Sequence, residues 1–295
     1  MFEAVFFFVS ALVFVHLAAT VVSAAVFLHA RGEPLFPTVP PVHRSPWVEL
    51  LGSLGREVGA RTLLALLWPF GLPPERLTDG DAFDRSRPPV VLVHGYGHNR
   101  AALWPLSWWL ERKGWTTFTF SHQAVETIEV KARRLAGRVE VVRQLAGAQR
   151  VDIVAHSMGG IIARYFIEQL GGAASVGRLI TLGTPHKGTG MAIFARGEAA
   201  SQLLPGSEVV TALARSLDAG REVKYTAIAG DMDTLVFPLD AALLGPPHDD
   251  VVLEGLGHNT LLTHGAAFNA VRSALLQGAP AGPARTVAPP LLESA

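Results

Sequence analysis

The 295-residue chain contains no cysteine. Disulfides, thiolate catalysis and cysteine-based zinc sites are therefore excluded, while the compartment is left open. Charge is also scarce. Asp, Glu, Lys and Arg make up 17% of residues, and 25 basic side chains balance 25 acidic ones for a formal net charge of +0. Such a chain has no field to gather nucleic acid, and no basic cluster with interleaved aromatics offers a local substitute. Nucleic acid is not an expected partner. No carboxylate–histidine spacing has the form of a metal site, so no metal is expected.

What is present in excess is apolar. Hydrophobic residues make up 49% of the chain, too many for a disordered protein. Part of the excess is concentrated from Ala4 to Leu28, a stretch without Asp, Glu, Lys or Arg. As a helix it would be about 37 Å long, against a hydrocarbon core of about 30 Å. We read residues 1–30 as a single-pass transmembrane anchor and the membrane as a partner. A cleaved signal peptide fits less well, because the run is long and Met-Phe-Glu is not a basic leader. A buried core helix is the third reading. His16 falls mid-span and reads as a neutral side chain packed among neighbours. Arg31, Arg44, Arg56 and Arg61 follow the span and no Lys or Arg precedes it, so the positive-inside rule leans toward a cytoplasmic catalytic domain.

Residues 31–88 read as proline-rich linkers around one further helix. Pro34, Pro37, Pro40, Pro41 and Pro46 mark the first linker; Pro73, Pro74, Pro88 and Pro89 mark the second. Between them, Trp47 to Phe70 reads as an amphipathic helix that either lies in the membrane interface or packs on the following domain.

From Val90 the pattern changes to short β-branched runs alternating with longer helical ones. Strands are expected at Val90–Val93, Trp115–Phe120, Val151–Ala155, Arg178–Leu182, Tyr225–Ala229 and Asp250–Leu253. Helices are expected at Ala101–Lys113, Val125–Leu145, Met158–Leu170 and Thr260–Leu276. This alternation predicts an α/β domain over residues 89–278, with a mainly parallel sheet and helices on both faces. Residues 188–222 break the rhythm and read as a cap; residues 279–295 read as a flexible tail.

Three loops carry the chemistry. Val-Asp-Ile-Val-Ala-His156-Ser157-Met158-Gly159-Gly160 is a strand, a sharp turn and a helix. It is a variant of G-x-S-x-G with Ala155 in place of the first glycine. A serine in such a turn is strained and exposed, and the helix starting at Met158 aims its free N–H groups at the reacting oxygen. His94-Gly95-Tyr96-Gly97 ends an earlier strand, where Tyr96 can supply a second amide for an oxyanion hole with Met158. A serine hydroxyl needs a base and the base an orienting acid, in the chain order Ser, acid, His. Asp231 and Asp233 follow one strand, and His258 follows another. Asp233 is the stronger candidate, with Asp231 the reserve that braces the turn. Asp249 and Asp250 come before a strand, at its wrong end. His264 falls inside the closing helix. His43, His98, His122, His186 and His248 read as surface or turn residues.

Taken in order, VLVHGYGHNRAALW, VDIVAHSMGGIIARYF, LITLGTPHKGTG, GDMDTLVFP and GLGHNTLL resemble the bacterial triacylglycerol lipase and esterase group of α/β-hydrolases. The resemblance runs from Val90 to about Leu276. It implies the α/β-hydrolase fold, with Ser157 as nucleophile, Asp233 as acid, His258 as base, and Tyr96 and Met158 as oxyanion-hole donors. It implies no cofactor. An apolar acyl ester or lipid is the expected substrate, favoured also by the anchor, the apolar Leu103–Leu110 helix and a cap that opens at an interface. Acyltransferase, thioesterase and amidase chemistry use the same triad. An inactive, membrane-anchored binding protein on this fold is the alternative of another class, disfavoured because all three triad candidates are present. Acyl length, leaving group and oligomeric state stay open at this level.

Overall fold

A computed structural model describes residues 2–30, 46–72, 87–123, 126–217 and 222–277. Most of both predicted linkers, with Arg31, His43 and Arg44, and the predicted tail lie outside the described residues.

Six parallel strands form one sheet in the order β2-β1-β3-β4-β5-β6. They are β1 (Val90–Val93), β2 (Thr117–Phe120), β3 (Val151–His156), β4 (Val176–Leu182), β5 (Lys224–Gly230) and β6 (Asp249–Leu253). The helices are α1 (Phe2–Ala30), α2 (Pro46–Leu67), α3 (Trp104–Glu111), α4 (Ile128–Ala146), α5 (Met158–Gln169), α6 (Glu198–Ser201), α7 (Glu208–Ser216) and α8 (Gly265–Leu276). Central strands of a parallel sheet are covered on both faces, which is why β1 and β3 read as unbroken buried runs. The edge strand β6 is instead half exposed.

Successive side chains on a strand point to opposite faces, and the core divides accordingly. Val91, Val93, Ile153 and Leu179 face a cluster built with α4, α5 and α7. Val90, Leu92, Val154 and Ile180 face a second cluster that includes Leu106 of α3, Val271 of α8 and Leu64 of α2. The predicted parallel sheet with helices on both faces is the observed one.

Local chemistry sets several boundaries. Helix α4 starts at Ile128 because the Thr127 hydroxyl accepts from the Val130 N–H. It ends at Gly147, whose left-handed φ of 61° closes the last turn. The expected single helix from Thr260 to Leu276 is broken. A 3-10 turn over Thr260–Leu262 is followed by α8, which is capped by the His264 ring accepting from the Ala266 N–H. His264 is thus a cap rather than a mid-helix residue. Asp249 and Asp250 are the first two residues of β6 rather than a lead-in to it. They sit at its N-terminal end, where Asp250 accepts from the Leu244 and Gly245 N–H groups.

Within α1, Ser10–His29 is long and apolar enough to cross a membrane. One stripe of it is nevertheless docked. Thr20, Ser23, Ala24 and Phe27 are buried at the i, i+3, i+4, i+7 spacing of a single helix face. Ser23 Oγ lies 2.9 Å from Thr234 Oγ1, and Phe27 meets Phe237 edge-on at 5.6 Å. Between Ser10 and His29 much of the remaining surface is exposed and apolar, with Phe14, Val15, Val21 and Val22 each at least half exposed.

Of the two readings of the second helix, the structure has α2 packed on the α/β domain. Ser53, Glu57, Ala60 and Leu64 form its buried stripe.

Candidate active site

Parallel strands deliver their following loops to one edge, and the candidate residues all lie there. The sheet order reverses direction between β1 and β3, and the loops after these two strands diverge to leave a crevice. Tyr96 follows β1 and Ser157 follows β3. Gly183 follows β4, Asp233 follows β5 and His258 follows β6.

Ser157 has φ 55° and ψ −127°. It is the one non-glycine residue with positive φ among the described residues. A side chain held there stores on the order of 1–3 kcal/mol of strain, so the surroundings must fix it. They do: the Ser157 N–H donates to Leu182 O at 2.8 Å, and Thr184 Oγ1 donates to Ser157 O at 2.9 Å. Close packing dictates the small residues. A Cβ on Gly95 would lie 2.8 Å from Ser157 Cβ, one on Gly159 2.7 Å from His94 O, and one on Gly160 would overlap the Thr184 side chain. Met158 begins α5, so its N–H has no intrahelical partner.

His258 is 4% exposed, and its Nδ1 lies 2.7 Å from Asp233 Oδ2. The other oxygen, Asp233 Oδ1, accepts from the Leu235 and Val236 N–H groups, both at 2.8 Å. The carboxylate is thus fixed from one side and offered to the imidazole on the other. A hydrogen on His258 Nδ1 leaves Nε2 as the nitrogen with the free lone pair. Asp231 does not pair with His258; its Oδ1 accepts from the Gly255 N–H at 2.7 Å.

Ser157 and His258 line one cavity of about 650 Å³, with His16 of α1, Leu64 of α2, Leu203 of the cap region and Val236. That is the size of a small-molecule site. Tyr96 lines it too, and its side chain has a further task. Its hydroxyl donates to Arg196 O at 2.7 Å and accepts from the Arg196 N–H at 2.9 Å, fastening the segment between β4 and β5 across the site.

Three features were not found by sequence reasoning. The first is Glu57, whose buried carboxylate accepts from the backbone and side chain of both Asn259 and Thr260. An acid inside the 53, 57, 60, 64 stripe of α2 was the available signal. The second is a set of buried histidines. His186 is 3% exposed, and burial pushes it, with His94 and His156, well below the usual imidazole range. Burial also lowers His98 and His122 to about 4. The expectation that His186 was a plain surface or turn residue is corrected, because its ring is buried against Arg164 and Thr181; His98 and His122 are half-buried loop residues, His98 lining the cavity and His122 stacking on His94. The His94 and His122 rings stack at 3.9 Å, and His156 lies 4.6 Å from His258.

The third is Gly183, in the LGTP stretch. Its φ is 55°, and a Cβ there would lie 3.0 Å from Asp233 Oδ2 and 3.1 Å from His258 Nδ1. Gly183→Ala is therefore expected to push the pair apart and lower kcat by about ten- to hundredfold, because displacements of about 1 Å have that scale of effect. Steady-state kinetics on a purified, folded variant checks this; an unchanged kcat would contradict the contact.

Sheet order, crevice and elbow define an α/β-hydrolase-fold protein. Comparison with known proteins agrees. A family model described as "Domain of unknown function (DUF7379)" matches residues 77–220, which include Ser157 but neither Asp233 nor His258. The Vibrio cholerae protein named triacylglycerol lipase is 27% identical over 153 residues, 50% of this chain and 47% of that protein. The chain thus spans less than half the length of that relative. The mature Bacillus licheniformis lipase BlEst2 superposes with a TM-score of 0.58 at 20% identity, over 70% of this chain and 96% of that one. Aspergillus fumigatus lipase B superposes with a TM-score of 0.59 at 15% identity, over 67% and 55% respectively. The chain has the α/β-hydrolase fold and is similar to bacterial lipases.

Proposed function

We propose that this protein is a membrane-anchored serine hydrolase that cleaves carboxylic esters with lipid-like acyl chains. The observation that carries the reading is the strained Ser157 sharing a cavity with His258, whose Nδ1 is 2.7 Å from Asp233. Ser157 Oγ attacks the acyl carbon as His258 Nε2 takes its proton. Asp233 holds the tautomer and stabilises the imidazolium. The oxyanion is met by the Tyr96 and Met158 amides, a contribution of about 3–4 kcal/mol per donor where such donors have been removed. The collapsing intermediate expels the alcohol, which takes the proton from His258. Water then attacks the acyl-serine by the same steps in reverse, releasing the acid.

The lipid-like acyl group is supported by the cavity's surroundings. Trp68 and Phe194 line the cavity and are exposed, and Phe70, Leu72 and Ile193 add further exposed apolar surface from the same two segments. Helix α1 forms part of the wall, and its outward face is apolar over the stretch able to cross a membrane. The named activities of the similar proteins support the ester class. A cytoplasmic location for the domain now rests on Arg31 and Arg44 alone. Arg56 donates to Gly255 O and Arg61 pairs with Glu57, so both are used within the fold.

The test uses a fluorophosphonate probe on the full chain in detergent. It should label the wild type and leave Ser157→Ala unlabelled, while p-nitrophenyl esters of increasing acyl length should be turned over with rising kcat/KM. Equal labelling of both proteins would sink the serine assignment; a preference for acetyl esters would sink the lipid-like acyl group.

A further inference from the structure

We propose that Glu57 of α2 is a positioning residue for His258, so that the helix preceding the α/β domain is part of the catalytic apparatus. The inference rests on the serine-hydrolase reading and extends it to a residue 202 positions away in the chain from the loop it holds.

Glu57 is 3% exposed. Its Oε1 accepts from Asn259 Nδ2 at 2.7 Å and the Asn259 N–H at 3.0 Å. Its Oε2 accepts from the Thr260 N–H at 3.0 Å and from Thr260 Oγ1 at 2.9 Å, and shares the Asn259 N–H. Arg61, one turn on, closes the set at 3.3 Å. Burial alone would push this carboxyl up. The Asn259 side chain, the Arg61 charge, the Asn259 amide and nearby His258 outweigh burial, and hold it below the usual carboxylate range. It is therefore an anion at neutral pH, where a carboxylate accepts with both oxygens.

These donors belong to the two residues directly after His258. In a parallel α/β fold a loop that leaves a strand is held only at its strand end unless something fixes the far side. Here β6 holds one end, and the far side meets Glu57 before α8 begins. The loop leaves no slack: a Cβ on Gly257 would lie 2.6 Å from Glu57 Oε2. A carboxylate that captures four separate donors on Asn259 and Thr260 fixes the backbone immediately after His258, and with it the direction of the imidazole. Glu57 thus adds, through the chain just after His258, to the holds made by Asp233 on Nδ1 and by His156 Nε2 on the His258 carbonyl.

The test compares Glu57→Gln with the wild-type full chain, and with Asp152→Asn as a control for stability. Asp152 pairs with Arg178 at the opposite end of the sheet. A glutamine has one acceptor oxygen and must turn its NH2 toward donors. Glu57→Gln is expected to lower kcat tenfold or more with KM within twofold. It should also broaden the far-downfield proton resonance of His258 Nδ1–H, while Asp152→Asn keeps kcat despite a similar fall in Tm. If Glu57→Gln does not fold, Thr260→Val, which removes one donor and keeps the carboxylate, should lower kcat about threefold and broaden the same resonance. Full kcat and a sharp resonance in the folded Glu57 variant, or in Thr260→Val where that variant stands in for it, would overturn the proposal. So would a proportionate loss of kcat in Asp152→Asn. A wild type that neither labels nor hydrolyses any ester would overturn the serine-hydrolase reading instead, and the resonance alone would then decide whether Glu57 holds His258.

Discussion

Lowering the pH from 7 to 5.5 is expected to destabilise the α/β domain strongly. Five histidines, His94, His98, His122, His156 and His186, are held neutral, each lowered first of all by burial. Their hydrogen bonds fix the neutral form. His94 Nδ1 donates to Gly95 O at 2.9 Å, while its Nε2 accepts from the His122 N–H at 3.3 Å. His156 Nε2 donates to His258 O at 3.1 Å, and its Nδ1 has no hydrogen-bond partner among the described residues to receive a new proton's charge. His186 Nδ1 faces Arg164 Nη1 at 3.4 Å, where a second cation would be repelled. The sign follows from linkage. Below about pH 6.5 the unfolded chain binds protons that the folded chain cannot, so stability is lost as pH falls. One unit below that value each such histidine costs on the order of 1 kcal/mol, and the five together several kcal/mol, a large part of the about 5–15 kcal/mol that holds an ordinary domain folded. Asp152 works in the opposite sense, because burial raises it to about 6 against the pull of Arg178. Its offset at pH 5.5 is under about 1 kcal/mol, too small to reverse the trend. Urea unfolding followed by circular dichroism from pH 7.5 to 5 should show a steep fall in midpoint below pH 6.5. A midpoint that stays flat to pH 5 would contradict the neutral assignment.

The histidines also show why sequence reading stops where it does. The strand runs of β1 and β3, the helix after Ser157 and the loops bearing Asp233 and His258 were legible because each is a local pattern: an apolar run, a tight turn of small residues, an acid or histidine just past a strand. The parallel order of the sheet follows from the alternation of elements. His94, His122 and His156 announce nothing locally, since their burial arises from three loops converging over the β1–β3 crevice. Glu57 was illegible for the same reason. A charged residue in an amphipathic helix reads as solvated until the opposite wall, here the amides of Asn259 and Thr260, is known to lack acceptors. The break before α8 was missed because His264 caps with a ring nitrogen, which is not among the usual capping side chains.

Replacing Asp233 with Asn is expected to lower kcat by about 10⁴, close to 5.5 kcal/mol of transition-state stabilisation, with the fold intact. Asp233 Oδ1 accepts from the Leu235 and Val236 N–H groups. An asparagine keeps those bonds by placing its oxygen there, which turns its NH2 toward His258 Nδ1, 2.7 Å from the present Oδ2. Nδ1 must then accept, so the hydrogen moves to Nε2, and Nε2 can no longer take the proton from Ser157. The nucleophile is stranded by the wrong tautomer and not by a lost fold. Asp231→Asn provides the contrast. Its oxygen still accepts from the Gly255 N–H, and it has no bond to His258. That variant should keep kcat within about fivefold, since weakening a loop bond from charged to neutral costs on the order of 1 kcal/mol. Kinetics of the two variants, with Tm measured alongside, separates the two acids of the loop. A larger loss in Asp231→Asn than in Asp233→Asn would transfer the orienting role to Asp231 and require the pair seen here to rearrange in the working enzyme.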